Sequence, residues 1–107
     1  MKRSLASMIC LAAIGCAGMA SADRYAQTGP KREAKPANCE YQLLTTVPAR
    51  AYEELGIVDA YQSQTRDTAV FVDGMRPHVC AAGGDAAIAE KAGNGYYIKA
   101  TVIRFTE

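Results

Sequence analysis

The stretch 80–89 (CAAGGDAAIA) limits the fold of this chain more than any other. Three small residues can close a helix, and the pair Gly83-Gly84 supplies the positive φ that a helix C-terminal cap needs. The short apolar run that follows is typical of a strand. The stretch therefore predicts a helix that ends directly before a strand, with Cys80 on the helix.

The N-terminus has the residue order of an export signal. Lys2 and Arg3 form a basic start, and the apolar run 5–14 that follows has the length of a signal core rather than of a membrane span. Small residues then lead to a cleavage site. We therefore expect residues 1–22 to be a signal peptide of an exported protein.

Two cleavage sites compete within this segment. Residues 13–16 (AIGC) resemble the lipobox of bacterial lipoproteins, which predicts lipidation of Cys16 as the new N-terminus. Residues 20–22 (ASA) equally fit ordinary signal peptidase, and cleavage there would start the mature chain at Asp23. The first site gives an outer-membrane-anchored protein, and the second gives a soluble periplasmic or secreted one.

Cys39 and Cys80 are the two cysteines that belong to the folded part under either cleavage. An even pair in an exported chain predicts a disulfide, with free thiols or a metal site as the alternatives. In the chain-entropy model, a disulfide that closes the loop between Cys39 and Cys80 stabilises the fold by about 4 kcal/mol. That is a large share of the stability of a small domain.

Composition divides the rest of the chain into two parts. Residues 23–38 contain Gly29, Pro30 and Pro36, few apolar residues and no periodicity, which predicts a flexible tether. Four basic and two acidic residues make this segment basic, as either a solvated spacer or a weak ligand for anionic lipid or cell wall. Residues 39–107 carry six basic and nine acidic residues, an acidic balance that argues against nucleic acid as a partner.

Residues 39–107 are predicted to form one small α+β domain, a β-β-α-β-β unit with one helix packed on a four-stranded sheet. Gly56 is expected at a bulge or turn where the second strand starts, after a connection over 49–55. The turn 92–95, which contains Asn94-Gly95, predicts a hairpin of the last two strands. The predicted strands are 40–47, 57–61, 85–90 and 96–105.

The predicted helix begins at a cap on Thr65 or Asp67 and ends near Ala82. Its apolar residues recur at helical spacing, which predicts one buried face. Pro77 removes a backbone hydrogen bond inside the run, so we expect a kink or a break near Arg76. The predicted buried face consists of Ala69, Val72, Met75, Val79 and Ala82.

Residues 52–58 (YEELGIV) and 80–88 (CAAGGDAAI) resemble the layout LG-x-V … A-x-x-x-GAD-A-V of small bacterial envelope lipoproteins. That group includes RcsF-like outer-membrane stress sensors, and YbjQ-like domains have a similar sheet and helix. The resemblance implies a disulfide-stapled α+β domain tethered to the outer membrane through an acylated cysteine, which corresponds here to Cys16. RcsF-like sensors have two disulfides in the domain, whereas Cys39 and Cys80 allow only one, so stress signalling is not carried over.

The residues of the predicted domain suggest no catalytic set. His78 is the only histidine, and a catalytic pair with Cys80 would need a free thiolate at a cysteine that has a disulfide partner. A metal site would have to combine these residues with Asp73 and Asp85, without the paired spacing that metal sites show. The chain is therefore predicted not to be an enzyme and to hold no cofactor.

Two functions follow from these observations. The first is a non-catalytic, lipid-anchored cell-envelope binding or sensor module that contacts an envelope protein or the cell wall. Its contact surface would be a sheet edge or a face of tyrosines, although tyrosines on a small sheet can simply cover a thin core. The alternative is a soluble exported metal- or small-ligand-binding protein. The tyrosines of the domain are Tyr41, Tyr52, Tyr61, Tyr96 and Tyr97.

Overall fold

The computed structural model of the protein describes residues 22–107. Cys16, and the predicted signal peptide up to residue 21, lie outside the described residues. In the described part, one helix packs on a five-stranded mixed sheet, which confirms the predicted α+β class but adds a strand to the predicted four. The elements are β1 (Arg24–Gln27), β2 (Gln42–Leu44), β3 (Tyr52–Asp59), α1 (Thr68–Ala82), β4 (Ala86–Lys91) and β5 (Tyr97–Phe105).

The strand order across the sheet is β1-β3-β5-β4-β2. β3, β5 and β4 form its antiparallel centre, with β1 antiparallel to β3 and β2 parallel to β4 at the two edges. The predicted hairpin of β4 and β5 is confirmed, and Gly95 takes a φ of 88° in its turn. The predicted first strand 40–47 is too long, because only Gln42–Leu44 pairs with β4.

The core lies between α1 and one face of the sheet. Phe71, Met75 and Val79 are fully buried at spacings of four residues, and the ring of Phe71 stacks on that of Tyr97 with 4.6 Å between centroids. The predicted buried face is therefore partly wrong, since Ala69 is exposed. Burying the larger Phe71 ring removes more apolar area from water than burying alanine does, so the helix turns its aromatic side inward.

Both ends of α1 are closed as the sequence predicts. Asp67 accepts a hydrogen bond from the Val70 amide at the N-terminus, and Gly83 takes a φ of 79° at the C-terminus. Of the predicted kink or break near Arg76, the break does not occur, since α1 is continuous from Thr68 to Ala82. A proline removes only one hydrogen bond from the ladder, and the exposed Pro77 leaves the buried face of the helix intact.

β3 is longer than the predicted strand 57–61 and includes most of the predicted connection 49–55. A register shift between Glu54 and Gly56 confirms the predicted irregularity at this glycine. The shift puts both Leu55 and Val58 in the core. Their spacing of three breaks the alternation by which a strand is recognised, which is why the sequence shows only the second half of β3.

Residues 23–38 are not the flexible tether that their composition predicts. Arg24–Gln27 forms β1 on the edge of β3, and the amides of Thr28 and Gly29 both donate to the Leu55 carbonyl at 3.1 Å. Farther along, the Lys35 amide donates to the Cys80 carbonyl at 2.8 Å. All four residues of β1 are exposed, so the strand has no apolar alternation that a sequence pattern could reveal.

Cys39 and Cys80 are adjacent in the structure. Their Cα atoms are 5.8 Å apart and their Sγ atoms are at bonding distance, which is compatible with the predicted disulfide. Cys80 is fully buried in α1. Among residues 22–107, no helix is both long and apolar enough to span a bilayer.

A candidate binding groove between the N-terminal segment and the helix

A groove of about 320 Å³ lies between residues 23–38, which we call the N-terminal segment, and the C-terminal half of α1. One wall comes from β1 and the residues that follow it, and the other comes from α1. We call it the N-terminal groove. It is lined by Tyr25, Gln27, Pro30, Lys31, Arg32, Pro77, His78, Ala81 and Ala82.

Tyr25 forms the floor of the sheet side because Gly56 leaves room for it. A Cβ atom on Gly56 would lie 2.3 Å from the Tyr25 hydroxyl oxygen and 2.4 Å from Cζ, so the ring lies directly against the glycine backbone. Burial raises the pKa of Tyr25 above its usual value, so its hydroxyl stays neutral farther into the alkaline range. The ring therefore offers the groove an apolar face and a neutral hydroxyl.

The helix wall is made of small and ring-shaped side chains. Pro77 and Ala81, like His78 and Ala82, are four residues apart and lie one turn above each other on the same side of the helix. Because neither alanine extends beyond Cβ, this side of α1 leaves a trough rather than a filled contact. His78 is the one ionisable side chain of the helix wall.

Asp23 holds the start of the N-terminal segment. Its carboxylate accepts hydrogen bonds from the backbone amides of Tyr61, Gln62 and Ser63 at 2.8 to 3.1 Å and from the Ser63 hydroxyl at 2.5 Å. The Asp23 side chain is only 8% exposed, and burial raises its pKa, but the hydrogen bonds outweigh burial and leave the pKa below its usual value. His78 Nε2 lies 3.9 Å from Asp23 Oδ2, so Asp23 also borders the groove.

Arg32, which lines the groove, also joins the N-terminal segment to β3. It forms a bidentate ion pair with Glu53 of β3, with N···O distances of 2.6 and 2.8 Å. Hydrogen bonding to Arg32 is the largest of the causes that lower the pKa of Glu53. The Lys35 ammonium lies 2.6 Å from the Asp85 carboxylate and donates to the Gly84 carbonyl at 3.0 Å. The basic segment and the acidic domain are therefore complementary parts of one structure.

The structure does not bring the predicted metal or catalytic candidates together. Asp73 pairs with Arg76 on the helix surface, Asp85 pairs with Lys35, and Cys80 lies beside Cys39, whereas His78 faces the groove. Within residues 22–107 there is no group of three or more histidine, cysteine or acidic side chains placed to hold a metal ion.

The tyrosines do not form one binding face. Tyr97 is in the core against Phe71, and the Tyr41 hydroxyl donates to the Val72 carbonyl of α1 at 2.7 Å. Burial raises the pKa of Tyr41 to about 12. Tyr61, by contrast, follows β3 and is 52% exposed, so the tyrosines have different surroundings.

Sequence reasoning missed the groove because its sheet wall lies in the predicted tether. The available signal was Gly56 inside an apolar strand, which indicates either a bulge or the close approach of another group. In this structure Gly56 lies at a register shift of β3, and the Tyr25 ring also packs directly against it.

Comparison with known proteins does not identify the chain. No protein-family model, no curated protein and no solved structure matches it. The resemblance to RcsF-like and YbjQ-like envelope proteins therefore stays a prediction, and the N-terminal groove is the feature from which a function can be argued.

The lowered pKa of Asp23 predicts a loss of stability in acid. A carboxylate whose folded pKa lies below its unfolded pKa stabilises the fold above the unfolded value, and this contribution is lost as the pH falls through the folded value. We expect Asp23→Asn to reduce the free energy of unfolding by about 1–3 kcal/mol at pH 7, and by much less at pH 2. Urea unfolding at a series of pH values measures this difference.

The matched control for this experiment is Asp73→Asn, since Asp73 is a highly exposed carboxylate in a surface ion pair. Its effect should stay within about 0.5 kcal/mol at every pH. A constant difference between the native chain and Asp23→Asn from pH 7 to pH 2 would contradict the assigned role of Asp23.

Proposed function

We propose that this protein is an exported, non-catalytic binding module of the bacterial cell envelope, and that it binds its ligand in the N-terminal groove. The observation that supports this proposal is the groove itself. Its volume of about 320 Å³ is within the range of small-molecule sites, which are concave and mostly apolar with a few polar groups. Its walls come from two separate segments that hydrogen bonds and ion pairs hold in place, so the site is formed before a ligand arrives.

The proposed anchor is a lipid on Cys16. Cys39 and Cys80 are proposed to form a disulfide within the domain. Because β1 begins at Arg24, the chain between the lipid and the sheet would consist of residues 17–23 alone, which reach roughly 25 Å when extended. The domain would therefore be held close to the membrane surface. An envelope protein or the cell wall remains the proposed macromolecular partner, with the exposed β1 edge as the contact surface.

A soluble exported ligand- or metal-binding protein is the second candidate, and one observation favours it. Asp23 is the first residue that cleavage after Ala22 would leave, and its carboxylate accepts the hydrogen bonds that fix the segment. The groove is thus complete in a chain that starts at Asp23. Ligand binding is compatible with either cleavage, whereas the membrane anchor needs the first.

Intact mass of the mature protein from membrane and soluble fractions tests the anchor. We expect a diacylated or triacylated chain that starts at Cys16 in the membrane fraction and gains two hydrogens on reduction. The matched variant Cys16→Ser should release the protein into the soluble fraction. An unmodified mass that starts at Asp23 would refute the anchor, and no mass change on reduction would refute the disulfide.

Amide spectra of the isotope-labelled protein, titrated with a small-molecule extract of the cell envelope, test the groove. We expect shifts at His78 and Ala82 in the native chain and none in Ala81→Leu, which fills the trough. The control is Ala69→Leu, the same substitution at an exposed position near the other end of α1. No shifts, or shifts that Ala81→Leu leaves unchanged, would contradict the groove as the binding site.

A further inference from the structure

We propose that the N-terminal groove binds a single-chain carboxylate amphiphile, with its carboxylate at Lys31 and its hydrocarbon chain between Tyr25 and α1. This inference rests on the proposed function and names the ligand class for the same site. Two independent properties of the lining lead to it, namely its charge and its apolar surface.

The first property is charge. Apart from the phenol of Tyr25, the ionisable groups of the lining are the basic side chains of Lys31, Arg32 and His78. The Asp23 carboxylate, which borders the groove 3.9 Å from His78, is already engaged by the backbone amides of residues 61–63. Arg32 is already paired with Glu53 in a bidentate geometry. Among residues 22–107, Lys31 has no ion-pair partner, so its ammonium is the group left to neutralise an anion.

The second property of the lining is its apolar surface. Tyr25 is a large side chain that is 38% exposed, and Pro77 and Ala81 across from it are also exposed. These groups offer few hydrogen bonds to a polar ligand, whereas a hydrocarbon chain would remove their surface from water. A carboxylate with an apolar tail therefore fits the lining better than a sugar or an inorganic anion does.

The size of the groove limits the length of that tail. Since an apolar cavity of about 150 Å³ holds one benzene molecule, a groove of about 320 Å³ holds roughly twice as many carbon atoms as benzene contains. One chain of roughly eight to ten carbons fits, and a lipid with two long acyl chains does not. The carboxylate would then lie at Lys31, which is an exposed residue.

Calorimetric titration of the exported Cys16→Ser protein, which lacks the acylation site, tests the ligand class. The probes are hexanoate, octanoate and decanoate, compared with decanol and decylammonium. We expect each added methylene to tighten carboxylate binding about fourfold until the groove is full. Decanol should bind about tenfold more weakly than decanoate, and decylammonium more weakly still, because neither can pair with an ammonium.

Variants assign this binding to named residues. Lys31→Gln should weaken decanoate about tenfold and leave decanol unchanged, whereas Lys91→Gln, which changes an exposed lysine outside the groove lining, should alter neither. Ala81→Leu should abolish binding of every probe, and Ala69→Leu should not. Urea unfolding of each variant verifies that it is folded.

The outcomes separate the ligand class from the site. Equal affinity for decanoate, decanol and decylammonium, abolished by Ala81→Leu, would overturn the carboxylate proposal and leave the groove as a binding site. The carboxylate proposal would also fail if Lys31→Gln bound decanoate as the native chain does. If no probe bound, the ligand class would be wrong, and the groove would still be tested by the titration with the envelope extract. If the probes bound but Ala81→Leu had no effect on their affinity, the groove would be the wrong site.

Discussion

The rest of the structure depends on the pairing of the N-terminal segment with the edge of β3. Without β1, residues Gly56–Asp59 would be an open sheet edge, and Gly56 would leave a gap on the helix side. β1 supplies the missing hydrogen bonds, and Tyr25 fills the gap with its ring. The same contact creates the groove, because it places this ring opposite the small side chains of α1. The pairing that closes this edge of the sheet therefore also forms the candidate site.

The end of α1 is a second point at which several constraints meet. Cys80 lies beside Cys39, and its carbonyl accepts hydrogen bonds from the amides of Lys35 and Gly83. Gly83 has a positive φ, and a Cβ atom there would lie 2.5 Å from the Glu33 carbonyl oxygen, so the helix cap also gives the N-terminal segment room to pass. One glycine thus serves both the helix and the segment. For a small domain with a limited core, such shared contacts matter more than they do in a large one.

The sequence predicts the local parts of this fold better than the contacts between distant segments. The helix cap at Asp67 and the turn at Gly95 follow from local rules, and both are present. The face that α1 buries depends on the stacking of Phe71 on Tyr97, two rings far apart in the chain, which a periodic pattern does not reveal. The groove is harder still to predict. Its sheet wall is an exposed edge strand without apolar alternation, and the residues that follow this strand are held by polar contacts such as the Arg32 ion pair.

The fold and the groove both require that the N-terminal segment be part of the folded domain and not a tether. Backbone amide hydrogen exchange of the exported protein distinguishes the two. The amides of Thr28, Gly29 and Lys35, which donate to carbonyls of β3 and α1, should exchange far more slowly than those of an unstructured peptide. If these three amides exchanged at the unstructured rate while those of β5 stayed protected, the segment would be a tether after all, and the groove would not exist.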